Sequence, residues 1–414
     1  MPNIRRLVAE RGATFERFYV TQPLCCPSRA SLLTGEYVHS HGVLSNRGQS
    51  GGYQRFLDRG HEERTIARQL QQRGMRTGLF GKYLNGYTAQ SPRIRRHRPP
   101  YWDKWFGKLD GGRNYGIGFR DDDTLRFYPA KPKRYYSDDV VAGAALDWIE
   151  DENASGRPVF AYVAPNAPHT PHEDPPRAVG GFERTRFWPE DKPSFNEPDV
   201  DDKPSYLQTT PLTDETTTRL RTRLVRRLQR MTVIDNFVGR LVEDLDSSSW
   251  LERTYIFVTS DNGWFQGEHR LAGGKIAPYE EAVRVPLLVR GPGVPADSRI
   301  DRLASMIDLY PTFAELAGER PNREGRSLVP LLSGGDVSWR TRLLIESLVP
   351  VQGAGREGEP SEFPAYATLV TADLKFTEWA DGSRELYDLE ADPHEVENLA
   401  SGAGAERLSR LSAD

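Results

Sequence analysis

The side chains with the clearest chemical potential come directly after three apolar runs of strand length. They are Lys82, His169, Asp261 and Asn262, with His269 and Lys275 close behind the last pair. In open α/β sheets, ligands bind beyond the carboxyl ends of the strands, so we expect these side chains at one sheet edge. Cations beside oxygen ligands suit an anionic ester that is held on a hard divalent metal. Taken one by one, these residues have ordinary explanations, since Asp-Asn-Gly is also a common turn sequence.

A candidate nucleophile lies earlier in the chain, at the start of a short predicted helix. Residues 25–35 begin with Cys25 and Cys26, while Pro27 suits the first helical position and Gly35 the position after the helix. Free N–H groups and the helix dipole attract anions there and stabilise an ionised nucleophile. Arg29 follows one turn along, where it can contact the same anion. A pair of core cysteines before an ordinary helix explains this stretch equally well.

The wider pattern alternates apolar runs of strand length with helical segments. This alternation predicts an α/β fold with a mostly parallel central sheet flanked by helices. The predicted helices span 1–11, 63–74, 138–152, 218–245 and 307–318, and the predicted strands span 75–80, 158–164, 254–260 and 286–289. Beyond residue 335 come short strands at 343–348, 365–371, 375–379 and 384–389, then a helix at 405–411. We therefore predict a main domain at 1–335 and a small antiparallel α+β subdomain at 336–414.

Two stretches have no place in this scheme, and one stretch within a predicted helix has an unusual composition. Residues 88–134 and 172–211 fit no predicted element, so we interpret both as long surface excursions. The run 219–230 holds six arginines with leucines at helical spacing. This run predicts the solvated face of a packed helix.

Composition excludes several classes of protein. The 414 residues carry a net charge of -4, which gives no global electrostatic case for binding nucleic acid or an anionic membrane. No apolar run is long enough for a membrane span, and the first residues lack a signal-peptide core. The only two cysteines are adjacent, which excludes a disulfide framework.

The stretch Cys25-x-Pro27-Ser28-Arg29-x-x-Leu32-Leu33-Thr34-Gly35 resembles the signature of the formylglycine-dependent sulfatases, which belong to the alkaline-phosphatase superfamily. Further matches follow in order at Gly81-Lys82-Tyr83, Pro168-His169, Ser260-Asp261-Asn262-Gly263, Lys275 and Tyr387-Asp388-Leu389. The resemblance covers essentially the whole chain. The paired cysteines, Leu84-Asn85 and the segment 193–199 are similar to the branch of N-acetylglucosamine-6-sulfatases and heparan 6-O-endosulfatases.

This resemblance implies a mechanism and a role for each candidate residue. A formylglycine-generating enzyme would oxidise Cys25 to formylglycine, whose hydrate attacks sulfur and later collapses to release sulfate. Asp261 and Asn262 would bind a divalent ion, expected to be Ca²⁺ or else Mg²⁺. The other implied roles are orientation of the hydrate by Arg29, neutralisation of sulfate oxygens by Lys82 and Lys275, sulfate contact or leaving-group protonation by His169, and substrate contacts by Asn85 and His269.

The chain departs from the family pattern at its start. Family members begin with a buried strand that ends in two metal-binding aspartates, and no Asp-Asp pair precedes Cys25. Asp121–Asp123 and Asp138–Asp139 are the acidic clusters that remain as substitutes. We favour an internal start within a longer protein over a short form that has lost its metal site. A second departure is Leu84, where many sulfatases carry histidine, and Asn85 is the residue that would compensate.

The sequence thus predicts a sulfuric ester hydrolase that cleaves a sulfate monoester from a sulfated sugar or glycan, with 6-O-sulfated glucosamine as the specific candidate. One alternative is a phosphate or phosphonate ester hydrolase on the same scaffold. Another is a catalytically dead protein that binds sulfated glycans. The family suggests a secreted or periplasmic protein, and we expect neither a nucleic-acid partner nor a membrane span.

Overall fold

The computed structural model describes residues 1–88, 90–91, 97–109, 113–131, 134–171, 173–176, 182, 188–354 and 360–413, with the backbone alone at 352–354 and 360–361. The α-helices are α1 (Cys25–Thr34), α2 (Val38–His41), α3 (Gly52–Asp58), α4 (Ile66–Gln72), α5 (Ser137–Ala154), α6 (Asp214–Ser247), α7 (Glu280–Val283), α8 (Leu309–Leu316), α9 (Val329–Leu332) and α10 (Ala405–Ala413). A π-helical segment at Ile4–Ala9 and five 3₁₀ turns complete the helical structure of the described residues. The turns are His61–Arg64, Pro189–Asp191, Leu251–Arg253, Met306–Asp308 and Leu399–Ser401.

The β-strands form sheets on which the helices pack. In chain order they are β1 (Ala13–Phe15), β2 (Phe18–Tyr19), β3 (Arg76–Gly81), β4 (Lys104–Lys108), β5 (Ile117–Asp121), β6 (Thr124–Tyr128), β7 (Val159–Ala164), β8 (Ile256–Thr259), β9 (Leu287–Arg290), β10 (Ser298–Ile300), β11 (Ala304–Ser305), β12 (Leu343–Ser347), β13 (Val351–Ala354), β14 (Pro360–Phe363), β15 (Tyr366–Val370), β16 (Leu374–Trp379) and β17 (Arg384–Asp388). The predicted α/β architecture is confirmed, and its sheets are mixed in direction.

The larger sheet has the strand order β6-β5-β4-β3-β7. Strand β3 pairs in parallel with both β4 and β7, and Gly81 lies opposite Ala164. The carboxyl ends of β3 and β7 therefore meet, which brings Lys82 close to the loop that carries His169. This juxtaposition is the one expected from the sequence for parallel strands.

A second sheet, with the order β10-β1-β9-β8, lies beside the first. Strands β7 and β8 are the terminal strands of the two sheets, and no backbone pairing joins them within the described residues. Phe313 of α8 contacts both strands, at centroid distances of 5.3 Å from Phe160 and 5.0 Å from Phe257. Both strands have half-buried apolar side chains, so the two sheets share core contacts. The facing edges of β7 and β8 have no backbone pairing partner among the described residues.

The C-terminal region forms an antiparallel sheet with the order β12-β15-β16-β17. Helix α10 packs on this sheet through Leu408, which clusters with Phe376 and Leu386. The short strands and final helix predicted after residue 335 are thereby confirmed as elements. The division into two domains at this point stays a prediction.

Two expectations about local structure are wrong. The segment 88–134, predicted to be a surface excursion, contains β4, β5 and β6. Its aromatic residues pack in pairs such as Phe106 on Phe119, whose ring centroids are 4.5 Å apart. Helix α6 does not simply expose its arginines, because Arg227 and Arg230 are buried. Among the described residues, no helix combines the length and apolar character that crossing a membrane requires.

Candidate active site

Helix α1 holds Cys25 at its N-terminus in the interior of the protein. Every residue of α1 is buried, and Cys25 itself is 1% exposed. Gly35 ends the helix in the left-handed conformation, at φ 68°, with its N–H donating to the carbonyl of Ser31. This ending is the one predicted for Gly35. The N-terminus of the helix is therefore fixed where it can stabilise an anion.

The thiol of Cys25 lies beside a lysine from a distant part of the chain. The Lys275 Nζ is 2.9 Å from Cys25 Sγ and 3.0 Å from Asn262 Oδ1. Burial would raise the pKa of Cys25, but the positive charges of Lys275 and Lys82 outweigh it, so this pKa lies below its ordinary value. The neighbouring thiol behaves in the opposite way, because burial and then the charge of Cys25 raise the pKa of Cys26 to about 12. Of the two cysteines, Cys25 is therefore the one that ionises more readily.

Arg29 connects the helix to the ends of three strands. Its Nε donates to Asp261 Oδ2 at 2.6 Å, and its guanidinium donates to the Lys82 carbonyl at 2.7 Å. The same group reaches the Tyr162 hydroxyl of β7 at 3.5 Å. Burial would raise the pKa of Asp261, but Arg29, Lys82 and Lys275 hold it well below its usual range. The site is thus a cluster of three cations around one carboxylate and one thiol.

His169 lies on the loop after β7, and two buried groups hold that loop in place. Asp138 accepts hydrogen bonds from the backbone N–H groups of Asn166 at 2.7 Å and Ala167 at 3.0 Å. Arg230 of α6 donates to the carbonyl of His169. Desolvation of the ring, followed by the charges of Lys82 and Lys275, lowers the pKa of His169 to about 4 against the raising effect of the Thr170 carbonyl. The imidazole is therefore neutral at pH 7 in the free protein.

The remaining substrate-contact candidates, Asn85 and His269, differ in their surroundings. The backbone N–H of Asn85 donates to Cys26 Sγ at 3.1 Å, and its Oδ1 is buried without a hydrogen-bond partner among the described residues. The side chain of His269 has no exposed surface, and its Nδ1 lies 2.8 Å from Glu197 Oε2. The ring is thus closed off from solvent in this structure, and the substrate contact of His269 stays a prediction.

His269 instead belongs to a buried ion cluster that supports the Lys275 loop. Its Nε2 lies 3.5 Å from Glu281 Oε2, and its ring stacks on Tyr279 at 3.9 Å. Burial would lower the pKa of His269, but Glu197 and Glu281 raise it to about 9. Lys203 completes the cluster at 3.2 Å from Glu197 Oε1. Sequence reasoning missed this cluster, because Glu197 and His269 lie on separate loops that only the fold brings together.

The described residues do not complete a Ca²⁺ site beside Cys25. Asp261 and Asn262 offer side-chain oxygens, but these already face Arg29 and Lys275, and Ca²⁺ takes about six to eight oxygens. The acidic clusters considered as substitutes are engaged elsewhere, since Asp121 pairs with Lys104 and Asp138 holds the His169 loop. A donor set suited to a hard metal is therefore present only in part.

A second group with metal-ligand chemistry lies within the buried ion cluster. Donor atoms of His269, Glu281 and Glu395 are all within 4.8 Å of one another. Lys375 neutralises one of these carboxylates, at 2.8 Å from Glu395 Oε1. This pairing explains the group as part of an ion-pair network that needs no metal.

Comparison with known proteins identifies the family to which the chain is similar. Residues 1–319 match the family model described as Sulfatase, and residues 267–411 match that of N-sulphoglucosamine sulphohydrolase, C-terminal. The N-acetylglucosamine-6-sulfatase of Homo sapiens is 32% identical over 441 residues, covering 99% of this chain and 79% of that protein. The extracellular sulfatase SULF-1 homolog of Drosophila melanogaster is 34% identical over 361 residues, covering 84% of this chain and 31% of that protein.

Solved structures agree on the fold. A protein solved in complex with its substrate D-glucosamine-2-N,6-O-disulfate superimposes with a TM-score of 0.74 at 22% identity, covering 100% of this chain and 91% of that one. The phosphonate monoester hydrolase from Silicibacter pomeroyi superimposes with a TM-score of 0.73 at 23% identity, covering 100% of this chain and 88% of that one. At these identities the likeness extends to the architecture alone.

Proposed function

Because the chain belongs to the sulfatase family, whose members are sulfuric ester hydrolases, we propose that its substrate is a 6-O-sulfated glucosamine within a sugar or glycan. Hydrolysis of a sulfate ester of a sugar is the reaction of the family branch that the chain resembles over 99% of its length. The observation that carries the proposal is the placement of the Lys275 ammonium 2.9 Å from Cys25 Sγ at a helix N-terminus. An anionic ester is attracted to this point by charge and by backbone N–H groups together.

We assign the groups around Cys25 to binding and orientation of the sulfate. Formylglycine, made from Cys25 by a formylglycine-generating enzyme, supplies an aldehyde hydrate as the nucleophile. Lys82 and Lys275 neutralise sulfate oxygens, because both bring a positive charge to the site. Arg29 fixes Asp261 and the end of β3, so it positions the carboxylate and Lys82 with respect to the nucleophile.

His169 and Asn85 are assigned to the substrate side of the site. The Nδ1 of His169 lies 2.8 Å from the Thr170 carbonyl and donates to it, which leaves Nε2 as the atom that faces a ligand. A bound sulfate adds negative charge, which favours the protonated imidazole and allows Nε2 to give its proton to the leaving oxygen. The unpartnered Oδ1 of Asn85 is assigned to a hydroxyl of the sugar.

Asp261 and Asn262 are proposed as two ligands of a divalent ion, Ca²⁺ or Mg²⁺. A bound ion would supply positive charge to the sulfate oxygens. The ion needs oxygen ligands beyond these two residues. Binding of the sulfate and protonation of the leaving oxygen are therefore assigned to the lysines and the imidazole of the chain itself.

The test is release of sulfate from 6-O-sulfated N-acetylglucosamine by protein that was co-expressed with a formylglycine-generating enzyme. We expect turnover that is abolished in Cys25→Ala, with the matched 6-O-phosphate ester turned over more slowly. Faster turnover of the phosphate ester would assign the site to the alternative class of phosphate ester hydrolases. Binding of sulfated glycans without turnover would assign it to the class of glycan-binding proteins.

A further inference from the structure

The second cysteine of the pair joins helix α1 to the loop that follows β3. Cys26 has no exposed surface, and its Sγ accepts a hydrogen bond from the backbone N–H of Asn85 at 3.1 Å. The backbone N–H of Cys26 donates to Asn46 Oδ1 at 2.8 Å. Cys26 is therefore bonded through both its main chain and its side chain to segments outside the helix.

The loop after β3 carries both Lys82 and Asn85, and hydrogen bonds hold each end of it. At the start of the loop, Arg29 donates to the Lys82 carbonyl at 2.7 Å. At its end, the Asn85 carbonyl accepts from the N–H of Tyr53 at 2.8 Å, and the Asn85 N–H donates to the sulfur of Cys26. Arg29 and Cys26 thus hold opposite ends of one loop from the same helix.

The backbone of Asn85 has little room to move. A Cβ atom added to Gly52 would lie 2.8 Å from the Asn85 carbonyl oxygen and 2.7 Å from that of Asn46, which are distances that real Cβ atoms do not adopt. The chain at Gly52 therefore packs directly against both hydrogen-bond partners of Cys26. The Oδ1 of Asn85 is buried without a partner among the described residues. A buried amide oxygen of this kind is costly unless a ligand supplies a donor.

The thiol of Cys26 is neutral, which suits it to a structural contact beside a reactive residue. Burial and then the charge of Cys25 raise the pKa of Cys26 to about 12. A neutral thiol does not compete with Cys25 as a nucleophile, because the thiolate is the nucleophilic form. Its sulfur keeps the lone pairs that accept an N–H.

We propose that Cys26 is a positioning residue for substrate recognition, which holds the carboxamide of Asn85 where Oδ1 accepts a hydroxyl of the sugar. The inference rests on the proposed function, because it concerns how the sugar that carries the sulfate is recognised. The two adjacent cysteines then have different tasks. Cys25 supplies the nucleophile, and Cys26 sets the position of a binding group.

The test is a double-mutant cycle on Cys26 and Asn85, with steady-state kinetics on 6-O-sulfated N-acetylglucosamine. Rates are expressed per converted enzyme, because the mass of the peptide that spans residues 18–29 gives the fraction of formylglycine. We expect Cys26→Ala to raise KM about tenfold and to change kcat less than about threefold, because it weakens a binding contact. In the Asn85→Ala background the same substitution should leave KM unchanged, because the positioned group is already absent.

Two further variants separate positioning from packing. Cys26→Ser keeps an acceptor for the Asn85 N–H and should bring KM to within about threefold of that of the unsubstituted protein. Ser31→Ala is the matched control, because it removes a different buried polar atom of α1, one that contacts Thr21 Oγ1 at 2.7 Å. This control should leave KM unchanged.

The positioning role is overturned if the rise in KM persists in the Asn85→Ala background, or if Ser31→Ala reproduces it. A KM in Cys26→Ser as high as in Cys26→Ala would overturn it as well. Hydrogen exchange at the Asn85 amide gives a readout that needs no variant and no activity. We expect slow exchange in the unsubstituted protein, and rapid exchange there would contradict the contact with Cys26.

A failure of the proposed function gives a different result. The unsubstituted protein then releases no sulfate from the sugar, and the inference falls with the function. Turnover of the sugar with an unchanged KM in Cys26→Ala overturns the positioning role alone.

Discussion

At the scale of single residues, the reactivity of Cys25 depends on the charges around its thiol. The thiol is buried in an environment that alone would raise its pKa, and the contact with Lys275 reverses this effect. Because the pKa of Cys26 is raised to about 12, ionisation of a cysteine at lower pH reports on Cys25. The two adjacent cysteines thus provide an internal comparison of a buried thiol with and without the Lys275 contact.

We predict that Lys275→Met raises the pKa of the Cys25 thiol, because burial then acts without the nearest compensating charge. An increase by one unit lowers the thiolate fraction at pH 7 about tenfold. Titration of the thiolate by ultraviolet absorbance in unconverted protein measures this shift, with Cys25→Ala as the baseline. Lys131→Met, at an exposed position, is the control, and an unchanged titration in Lys275→Met would show that the contact has no electrostatic effect.

A second prediction concerns the pH dependence of stability. The pKa of His269 is raised to about 9 in the folded protein, above its value of about 6.5 in an unfolded chain. The ion pairs with Glu197 and Glu281 therefore stabilise the fold fully below about pH 6.5, and this contribution is lost as pH rises through about 9. His269→Gln should lower the free energy of unfolding by about 3–5 kcal/mol at about pH 6.

The loss caused by His269→Gln should shrink toward about pH 10, where the native histidine is neutral as well. Urea denaturation of both proteins across this pH range provides the measurement, and His394→Gln is the matched histidine control outside the cluster. A difference between the two proteins that is the same at both ends of the range would contradict the assignment of a charged His269.

At the scale of elements, the C-terminal sheet holds the loop that carries Lys275. The Tyr366 hydroxyl of β15 donates to the carbonyl of Ile276 at 2.7 Å. Glu385 of β17 accepts from the Tyr279 hydroxyl at 2.6 Å, and Glu395 accepts from the Glu280 N–H at 2.7 Å. These contacts show how a sheet remote in sequence positions an ammonium group at Cys25.

Tyr366→Phe removes one of these contacts and leaves the Ile276 carbonyl buried without its donor. We predict a loss of about 1–3 kcal/mol in the free energy of unfolding. Because Ile276 adjoins Lys275, the same variant should also shift the Cys25 titration in the direction of Lys275→Met. Tyr255→Phe removes an equivalent hydroxyl, bonded to the Pro292 carbonyl at 2.7 Å, and should leave the thiol titration unchanged. A shift of equal size in both variants would argue against a specific role of β15.

Sequence patterns predicted the elements that carry strong local signals. Pro27 and Gly35 predict helix α1, and apolar runs predict β3 and β7. The parallel pairing of these strands explains why Lys82 and the His169 loop meet. Strands β4 to β6 were missed, because strands of five residues rich in Arg, Gly and aromatic side chains resemble loops. The contact between Arg29 and Asp261 joins residues 232 positions apart. The family resemblance implies the roles of Arg29 and Asp261, whereas their contact is visible only in the folded structure.

The arginine run of α6 is a second case in which the sequence pattern predicts the element but not its contacts. Its leucines at helical spacing predicted a packed helix correctly, but periodicity does not reveal what the polar face meets. Both Arg227 and Arg230 are buried: the Arg227 guanidinium lies over the Trp264 ring, and Arg230 donates to the carbonyl of His169. A helix face that is charged in sequence is therefore partly interior in the folded protein.

At the scale of the whole molecule, two sheets with open edges share one core. Strand β3 is paired on both sides and so is β9, whereas β7 and β8 each have one paired neighbour within the described residues. Tyr162 of β7 and Asp261, which follows β8, both contact Arg29. The candidate active site therefore lies beside the carboxyl ends of β7 and β8, the two strands that each have an unpaired edge.

This arrangement predicts uneven protection of backbone amides in the chain as described. Amides of β7 and β8 should exchange with solvent faster than those of β3 and β9, because an unpaired strand edge exposes N–H groups. Hydrogen exchange followed by mass spectrometry on peptides that cover the four strands measures the difference. Equal protection of all four strands would contradict two open edges.

The central claim is that Cys25 is the precursor of a sulfatase nucleophile. The most direct test is the mass of the tryptic peptide that spans residues 18–29, isolated from protein co-expressed with a formylglycine-generating enzyme. We predict the mass of the peptide with an aldehyde in place of the Cys25 thiol and with Cys26 unchanged. An unmodified thiol at Cys25, in cells that convert a known sulfatase in parallel, would contradict the claim and leave Cys25 as a structural cysteine.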